Sequence, residues 1–427
     1  MLSYRPPPGV RSAERGYMEP ENLSLTLPQR SSVTEVFLAF LKLGLTSFGG
    51  PVAHIGYFRR EFVERRRWLS EVTFIDLLGL CQFLPGPASS QLGFSIGLVR
   101  SGWFGAAAAW VGFTFPSVLL MLAFAILAPD LGGPWGQGLT HGLKLVAVVI
   151  VSQAVWDMAR TLCSDHRRAA IALVAMVIVG VLTTVYAQLL VITIGAILGL
   201  LICRDPVLEV VRGNLELRVT VSTRSVGLLA LTVFGILFVC AATLNVGQHA
   251  LAARIFTIFY RSGALVFGGG HVVLPLLQQR TVATGWVPAN EFLAGYGAAQ
   301  MMPGPLFSFA GYLGWIMGGV KGHLGGALLA TVAIFLPGLL LVVAALPFWQ
   351  QLRRRPSIGA MLAGVNASVV ALLATALYSP IWTSAVATGT DFAIASVGFV
   401  LMIRWRLAPI YIVVGCACAG MLESVCR

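Results

Sequence analysis

Apolar runs of bilayer-spanning length recur along the chain, at 102–127, 139–158, 169–186, 227–244, 327–346 and 361–378. A helix needs about 20 such residues to cross the hydrocarbon. In lipid every backbone N–H and C=O must find its partner within the protein, which leaves helices or a closed barrel. The alternating signature of a barrel strand is absent. The expected fold class is therefore an all-α polytopic membrane protein. Composition agrees, with 57% hydrophobic and 11% charged residues, where a soluble domain carries about 25% charged.

The net charge of +12 would suggest nucleic acid on a soluble protein. Here the arginines sit in short loops, where they set topology, so no nucleic-acid partner is expected. The seven cysteines are scattered, mostly in apolar runs, and neither a zinc spacing nor a disulfide framework appears. No metal or other cofactor is expected. No phosphate-binding G-x-x-x-x-G-K-[ST] loop and no hydrolase pattern occurs, which argues against an ATPase or a membrane enzyme. Residues 1–32 are polar and rich in Pro and Arg. They read as a disordered tail, cytoplasmic by the positive-inside rule.

The pattern Q-x-x-P-G-P-x-x-S-x-x-G occurs twice, from Gln82 to Gly93 and from Gln300 to Gly311. Around it Trp68 matches Trp286, Phe74 matches Phe292 and Gly79 matches Gly297. Upstream, Phe37, Phe40, Gly44, Phe48, Gly49 and Gly50 match Phe256, Phe259, Gly263, Phe267, Gly268 and Gly269. Downstream, Pro116 pairs with Pro337 and Gly142 with Gly364. Shared Pro-Gly-Pro in register marks a duplication. Loop charge reverses between the copies. Arg59, Arg60, Arg65, Arg66 and Arg67 face a counterpart segment holding only Arg280. The loop 129–138, which has no Lys or Arg, answers to Arg353, Arg354 and Arg355. The loop with Arg160, Arg167 and Arg168 answers to a stretch without cations. Basic loops on one side of the membrane then require two homologous helical domains in inverted topology. Inversion needs an odd number of crossings between the copies, and one apolar segment supplies it. The expected layout is a tail at 1–32, a first repeat at 33–203, a basic linker at 204–225, a connecting transmembrane helix at 226–246 and a second repeat at 252–423. Ten to thirteen spans are expected by the length rule. The runs 34–58 and 72–100 are broken and read as re-entrant hairpins or discontinuous helices.

Four breaks carry the functional expectation: Gly49-Gly50-Pro51, Pro85-Gly86-Pro87, Gly268-Gly269-Gly270 and Pro303-Gly304-Pro305. Proline removes a backbone donor and glycine permits positive φ. Free backbone groups survive at membrane depth only where protein or a water-filled cavity covers them. Broken helices at matching points of inverted repeats point to a transporter binding site. New helix starts present unpaired N–H groups and a positive dipole end, which suit an oxyanion. Gln82, Gln300, Ser90 and Ser308 flank the turns. Lys42 and Arg261 hold equivalent places seven residues before the glycine pairs, each in an apolar run, and are candidates to offset anion charge. Asp76, His54 and His271 are candidates for proton or charge coupling. Lys144 reads equally well as functional or snorkelling.

At these motifs the chain resembles the chromate ion transporter family. The resemblance rests on Phe40 to Pro51 with Gln82 to Pro87, and on Phe267 to Pro275 with Gln300 to Pro305. It implies paired inverted domains in a bacterial inner membrane and efflux of chromate, with sulfate as mimic, conferring resistance. The second glycine motif departs from the first by having Gly270 where Pro51 stands. A passive anion channel and a carrier of sulfate or another oxyanion stay open as alternatives, and the oligomeric state, a homodimer included, is not fixed.

Overall fold

In the computed structural model the described residues are 31–127, 133–182, 187–203, 223–243, 250–267, 270–319, 322–352 and 355–426. Nearly all of the expected tail and most of the expected linker lie outside them. The described residues form helices and no strands. In the first half these are α1 (Val33–Thr46), α2 (Gly50–Arg59), α3 (Glu71–Phe83), α4 (Ala88–Leu127), α5 (Gly133–Leu162), α6 (His166–Val181) and α7 (Ala187–Ile202). Helix α8 (Arg224–Thr243) stands between the halves. The second half comprises α9 (Leu251–Ala264), α10 (Val273–Thr281), α11 (Ala289–Met301), α12 (Phe309–Gly318), α13 (His323–Ala345), α14 (Trp349–Leu352), α15 (Pro356–Ala376), α16 (Thr383–Ala385), α17 (Gly389–Arg404) and α18 (Pro409–Cys426).

Local chemistry sets many of the starts. Ser32 accepts from the Glu35 amide, Ser70 from Thr73 and Asp165 from Arg168, so each caps a helix. Thr388 and Asp391 cap α17 reciprocally. These caps satisfy amides that a helix cannot satisfy for itself. Helix α4 is not a single rod. Non-helical angles at Ser101 and Gly102 fold it back into arms 88–100 and 103–127. A Cβ on Gly97 would fall on the carbonyl of Gly105, as close antiparallel packing requires. In the second half α12 and α13 repeat this hairpin, with Gly314 against Gly326.

The halves exchange contacts. Gly142 of α5 lies against Cys416 of α18, while Gly364 of α15 lies against Gly195 of α7. Helices α5 and α15 are equivalents, as are α7 and α18, so each half packs its own α5-type helix against the other half's last helix. Small residues one turn apart let these backbones meet. The largest apolar core accordingly draws on both halves, including Val146, Ile258, Val369 and Val413.

The contacts also place the ends of the helices. Gly227, near the start of α8, abuts Pro347 ahead of the arginine run 353–355. At the opposite ends, His141 near the start of α5 pairs with Asp391 at the start of α17, 2.5 Å apart. Lys144 donates to Asn290 at the start of α11 at 2.7 Å. So α5 starts on the side away from the basic loops, whereas its equivalent α15 starts on their side. The two repeats are inverted, and α8 is the odd crossing that inversion needs. Five helices among the described residues are long and apolar enough to cross a bilayer, α8 among them, with shorter apolar helices beside them. Helix α8 leaves Leu228, Leu229, Ile236 and Val239 exposed, the pattern of a helix facing lipid.

One departure from symmetry stands out. Gly297 of α11 packs on the Leu143 backbone of α5, but its equivalent Gly79 of α3 meets only the Trp349 ring, at 3.5 Å. Helix α11 is docked across the halves, and α3 is not docked in the equivalent way.

Candidate functional site

The expected breaks converge at the crossing of the two halves. Helix α1 ends at Thr46, and the chain passes through Ser47 to Gly49 (φ +100) before α2 begins at Gly50 with Pro51 in its first turn. Helix α3 ends at Phe83, and Pro85-Gly86-Pro87 leads into the first arm of α4. The second half repeats this arrangement: α9 ends at Ala264, and α11 runs into Pro303-Gly304-Pro305 ahead of Ser308 and α12. Gly268 and Gly269 lie outside the described residues.

Each Pro-Gly-Pro turn is pinned to the other half. The Gly86 N–H donates to Val266 O at 2.7 Å, and the Gly304 N–H donates to Ser47 O at 2.9 Å. Residues 47 and 266 are equivalent, as are 86 and 304, so the pair of bonds is a symmetric clasp. Gln91 adds to it, donating through Nε2 to Pro85 O at 2.9 Å and to Gly338 O at 3.1 Å. The amides of Gly86 and Gly304 themselves are therefore engaged by carbonyls of the other half. Buried N–H groups take the nearest available carbonyl, and inversion brings the end of the other half's broken helix within reach.

The polar capacity of the crossing lies in side chains instead. Ser47 Oγ, Ser90 Oγ, Thr114 Oγ1, Gln91 Oε1 and Gln300 Nε2 are buried atoms without a hydrogen-bond partner among the described residues. Buried polar groups are nearly always paired, so such a group of orphans indicates a polar guest or water. His54 is buried there as well, 3.4 Å from Ser89 Oγ and 3.3 Å from Ser47 O, with its ring edge-on to Phe113. In the second half His271 Nδ1 sits 2.9 Å from the Tyr296 hydroxyl. Ser47, Gln91 and Thr114 were missed in the sequence. Ser47 and Thr114 stand at uneventful positions of apolar runs, and Gln91 falls at a variable place of the repeated pattern.

The remaining candidates divide. Ser308 and Asp76 are buried, whereas Gln82 is exposed. Lys42 is exposed too, but its equivalent Arg261 is buried at 8% exposure. The two cations are thus not equivalent in position, because α1 presents position 42 outward whereas α9 is packed all round that level. His141, Asp391 and Glu423 bring ligand-type atoms within 4.8 Å of one another. Asp391 is already engaged there by His141 and by the amides of Ala387 and Thr388.

The family model described as "Chromate transporter" matches residues 34–200 and again 253–421. A probable chromate transport protein of Synechococcus elongatus is 28% identical over 81% of this chain and 84% of its own length. The chromate transport protein of Cupriavidus metallidurans is 26% identical over 92% of this chain and 93% of its own. That of Pseudomonas aeruginosa is 27% identical over 93% and 94%. No solved structure matches.

Proposed function

Because the chain belongs to the chromate transporter family, we propose that it is a secondary carrier exporting chromate from the bacterial cytoplasm, with sulfate as a structural mimic. The observation that carries the reading is the set of unpartnered buried polar atoms where the two inverted halves clasp each other. The hydroxyls of Ser47, Ser90 and Thr114 and Gln300 Nε2 can donate to a tetrahedral oxyanion, whereas the free Gln91 Oε1 only accepts and suits water, and binding at the interface of inverted repeats is the arrangement used by carriers. The protein has its N-terminus in the cytoplasm of an inner membrane, the repeats occupy 33–203 and 252–423, and it is a transporter rather than an enzyme.

Energetics favour export. Moving one charge through 100 mV is worth about 2.3 kcal/mol, so a dianion leaving a negative interior gains about 4.6 kcal/mol. That gradient alone sustains a concentration ratio on the order of a thousandfold. Docking of α11 on α5, unmatched by α3, favours a carrier over a channel. In an inverted pair the exchange of those two roles interconverts outward- and inward-facing states.

The test is transport in vesicles with chromate, sulfate and molybdate, the potential first clamped and then collapsed. The reading expects potential-dependent chromate movement and stimulation by unlabelled anion on the far side. Movement without trans-stimulation would make the protein a channel, and absence of chromate or sulfate movement would remove the oxyanion reading altogether.

A further inference from the structure

A cavity of about 370 Å³ lies between the two halves, and none of its lining residues belongs to the clasp. The first half contributes Val179, near the end of α6, and Gln188, near the start of α7. The second half contributes α10 from Pro275 onward and the end of α15 with Thr375. Helix α6 carries Arg167 and Arg168 in its first turn, and α15 follows the arginine run 353–355. Both helices therefore finish on the face away from the basic loops, and the cavity opens there. Ala283 and Ser379 are exposed at its mouth, whereas Pro275, Leu372, Gln188 and Gln278 are buried deeper in.

The chemistry of the lining points to water rather than lipid. Gln188 is 6% exposed and Gln278 is 7% exposed. Gln188 Nε2 donates to Pro275 O at 3.4 Å, which ties α7 to α10. Its Oε1 is buried without a hydrogen-bond partner among the described residues. A lipid chain would leave that oxygen unsatisfied, at a cost that buried amides rarely bear, whereas water satisfies it. The cavity has room for on the order of ten water molecules. No Lys, Arg, Asp or Glu is among its lining residues. A neutral polar wall leaves a departing anion hydrated without holding it, as a conduction path requires.

Helix α10 connects this cavity to the crossing. It lines the cavity along most of its length and begins two residues after His271. His271 in turn meets Tyr296 of α11 at 2.9 Å, and one turn farther along α11 stands Gln300, one of the unpartnered groups of the crossing.

We propose that this cavity is the water-filled outer vestibule through which the oxyanion leaves the crossing, with Gln188 in its buried part. This deepens the transport reading and rests on it. The vestibule is a passage and not a second binding site, so filling it slows transport without weakening the anion's hold at the crossing.

The experiment places a thiol in the cavity with Thr375→Cys and adds membrane-impermeant thiosulfonates, one anionic and one cationic, to the outer face of spheroplasts making the full chain. Labelling is counted above that of the wild type, whose own cysteines set the background. The thiol at 375 is expected to react with both reagents, because water reaches it and no charged side chain on the wall sorts them. Thr375→Trp, which fills the cavity, is expected to lower chromate export about tenfold or more. Its sulfate affinity, measured by calorimetry on the purified protein in nanodiscs, should stay within about twofold of wild type. A thiol that resists both reagents and yields only to a lipid-soluble maleimide would show a lipid-filled cleft and overturn the vestibule. Undiminished export by folded Thr375→Trp would overturn it as well, and either result leaves the transport reading standing. The cysteine variant carries the test if Thr375→Trp does not fold. A wild type that moves neither chromate nor sulfate would overturn both readings.

Discussion

The amide of Gly86 donates to the carbonyl of Val266 across the two halves at 2.7 Å, and the amide of Gly304 returns the bond to Ser47 at 2.9 Å. Both glycines hold positive φ, +126° and +93°. A Cβ on Gly86 would come within 3.0 Å of Gly338 Cα, and one on Gly304 within 2.9 Å of Ser117 Oγ. Replacing either by Ala adds backbone strain of about 1–3 kcal/mol and crowds the other half's backbone or hydroxyl. Both Gly86→Ala and Gly304→Ala should lower the yield of folded protein and the thermal midpoint in detergent. An unchanged midpoint in both would mean that the clasp does not hold the halves.

The exchange of helices between halves yields a second expectation. Gly142→Val and Gly364→Val place methyl groups on the carbonyls of Cys416 and Gly195, whereas Gly415 on α18 has open space around it. Overpacking a close helix pair costs about 1–3 kcal/mol. The first two substitutions should destabilise the protein to a similar degree, as befits equivalent positions, and Gly415→Val should be nearly silent. Midpoints that fail to separate the Gly415 variant from the others would contradict the packing described.

Much of this architecture is legible in the sequence, for physical reasons that differ by element. Apolar run length marks the spans because lipid leaves the backbone few options. The duplicated Pro-Gly-Pro reveals the repeat because no packing pressure would produce it twice in register. Arginine bias reveals inversion because loops report their side of the membrane. The partners of the turns are hidden, since Gly86 meets Val266 only once two distant segments are brought together. The fold-back at Ser101–Gly102 falls where the runs 72–100 and 102–127 meet, beside Arg100, but the sequence does not say that the chain reverses there. Whether Lys42 and Arg261 share a role is equally hidden, since equivalence in sequence does not fix how each helix is covered.

That last point is open to measurement. Lys42 is exposed and Arg261 buried next to the clasp. Lys42→Ala should leave chromate transport in vesicles within about twofold of wild type, whereas Arg261→Ala should lower it about tenfold or more, the range for losing a charged contact. Equal losses, corrected for protein in the membrane, would restore the symmetric assignment that the sequence suggests.

At the arginine-rich face, the π-helical turn Arg60–Arg65 that follows α2 gives a dependence on pH. Burial on its own would raise the Glu61 carboxyl, but hydrogen bonds from Arg66 and Arg65 outweigh it and hold the group below its ordinary value of 4.5. Arg65 Nη1 and Arg66 Nε each approach it at 2.7 Å. Because the folded protein lowers this pKa, the stabilisation is complete above the unfolded value, near neutral pH. It fades as the pH falls below about 4.5 and through the lowered folded value. Charge-assisted bonds of this kind contribute about 2 kcal/mol. Glu61→Gln should therefore lower the thermal midpoint at pH 7 and flatten its decline between about pH 5 and 3, where protonation removes the same interaction from the wild type. Parallel curves for the two proteins through that interval would show that Glu61 does not carry the acid sensitivity of this face.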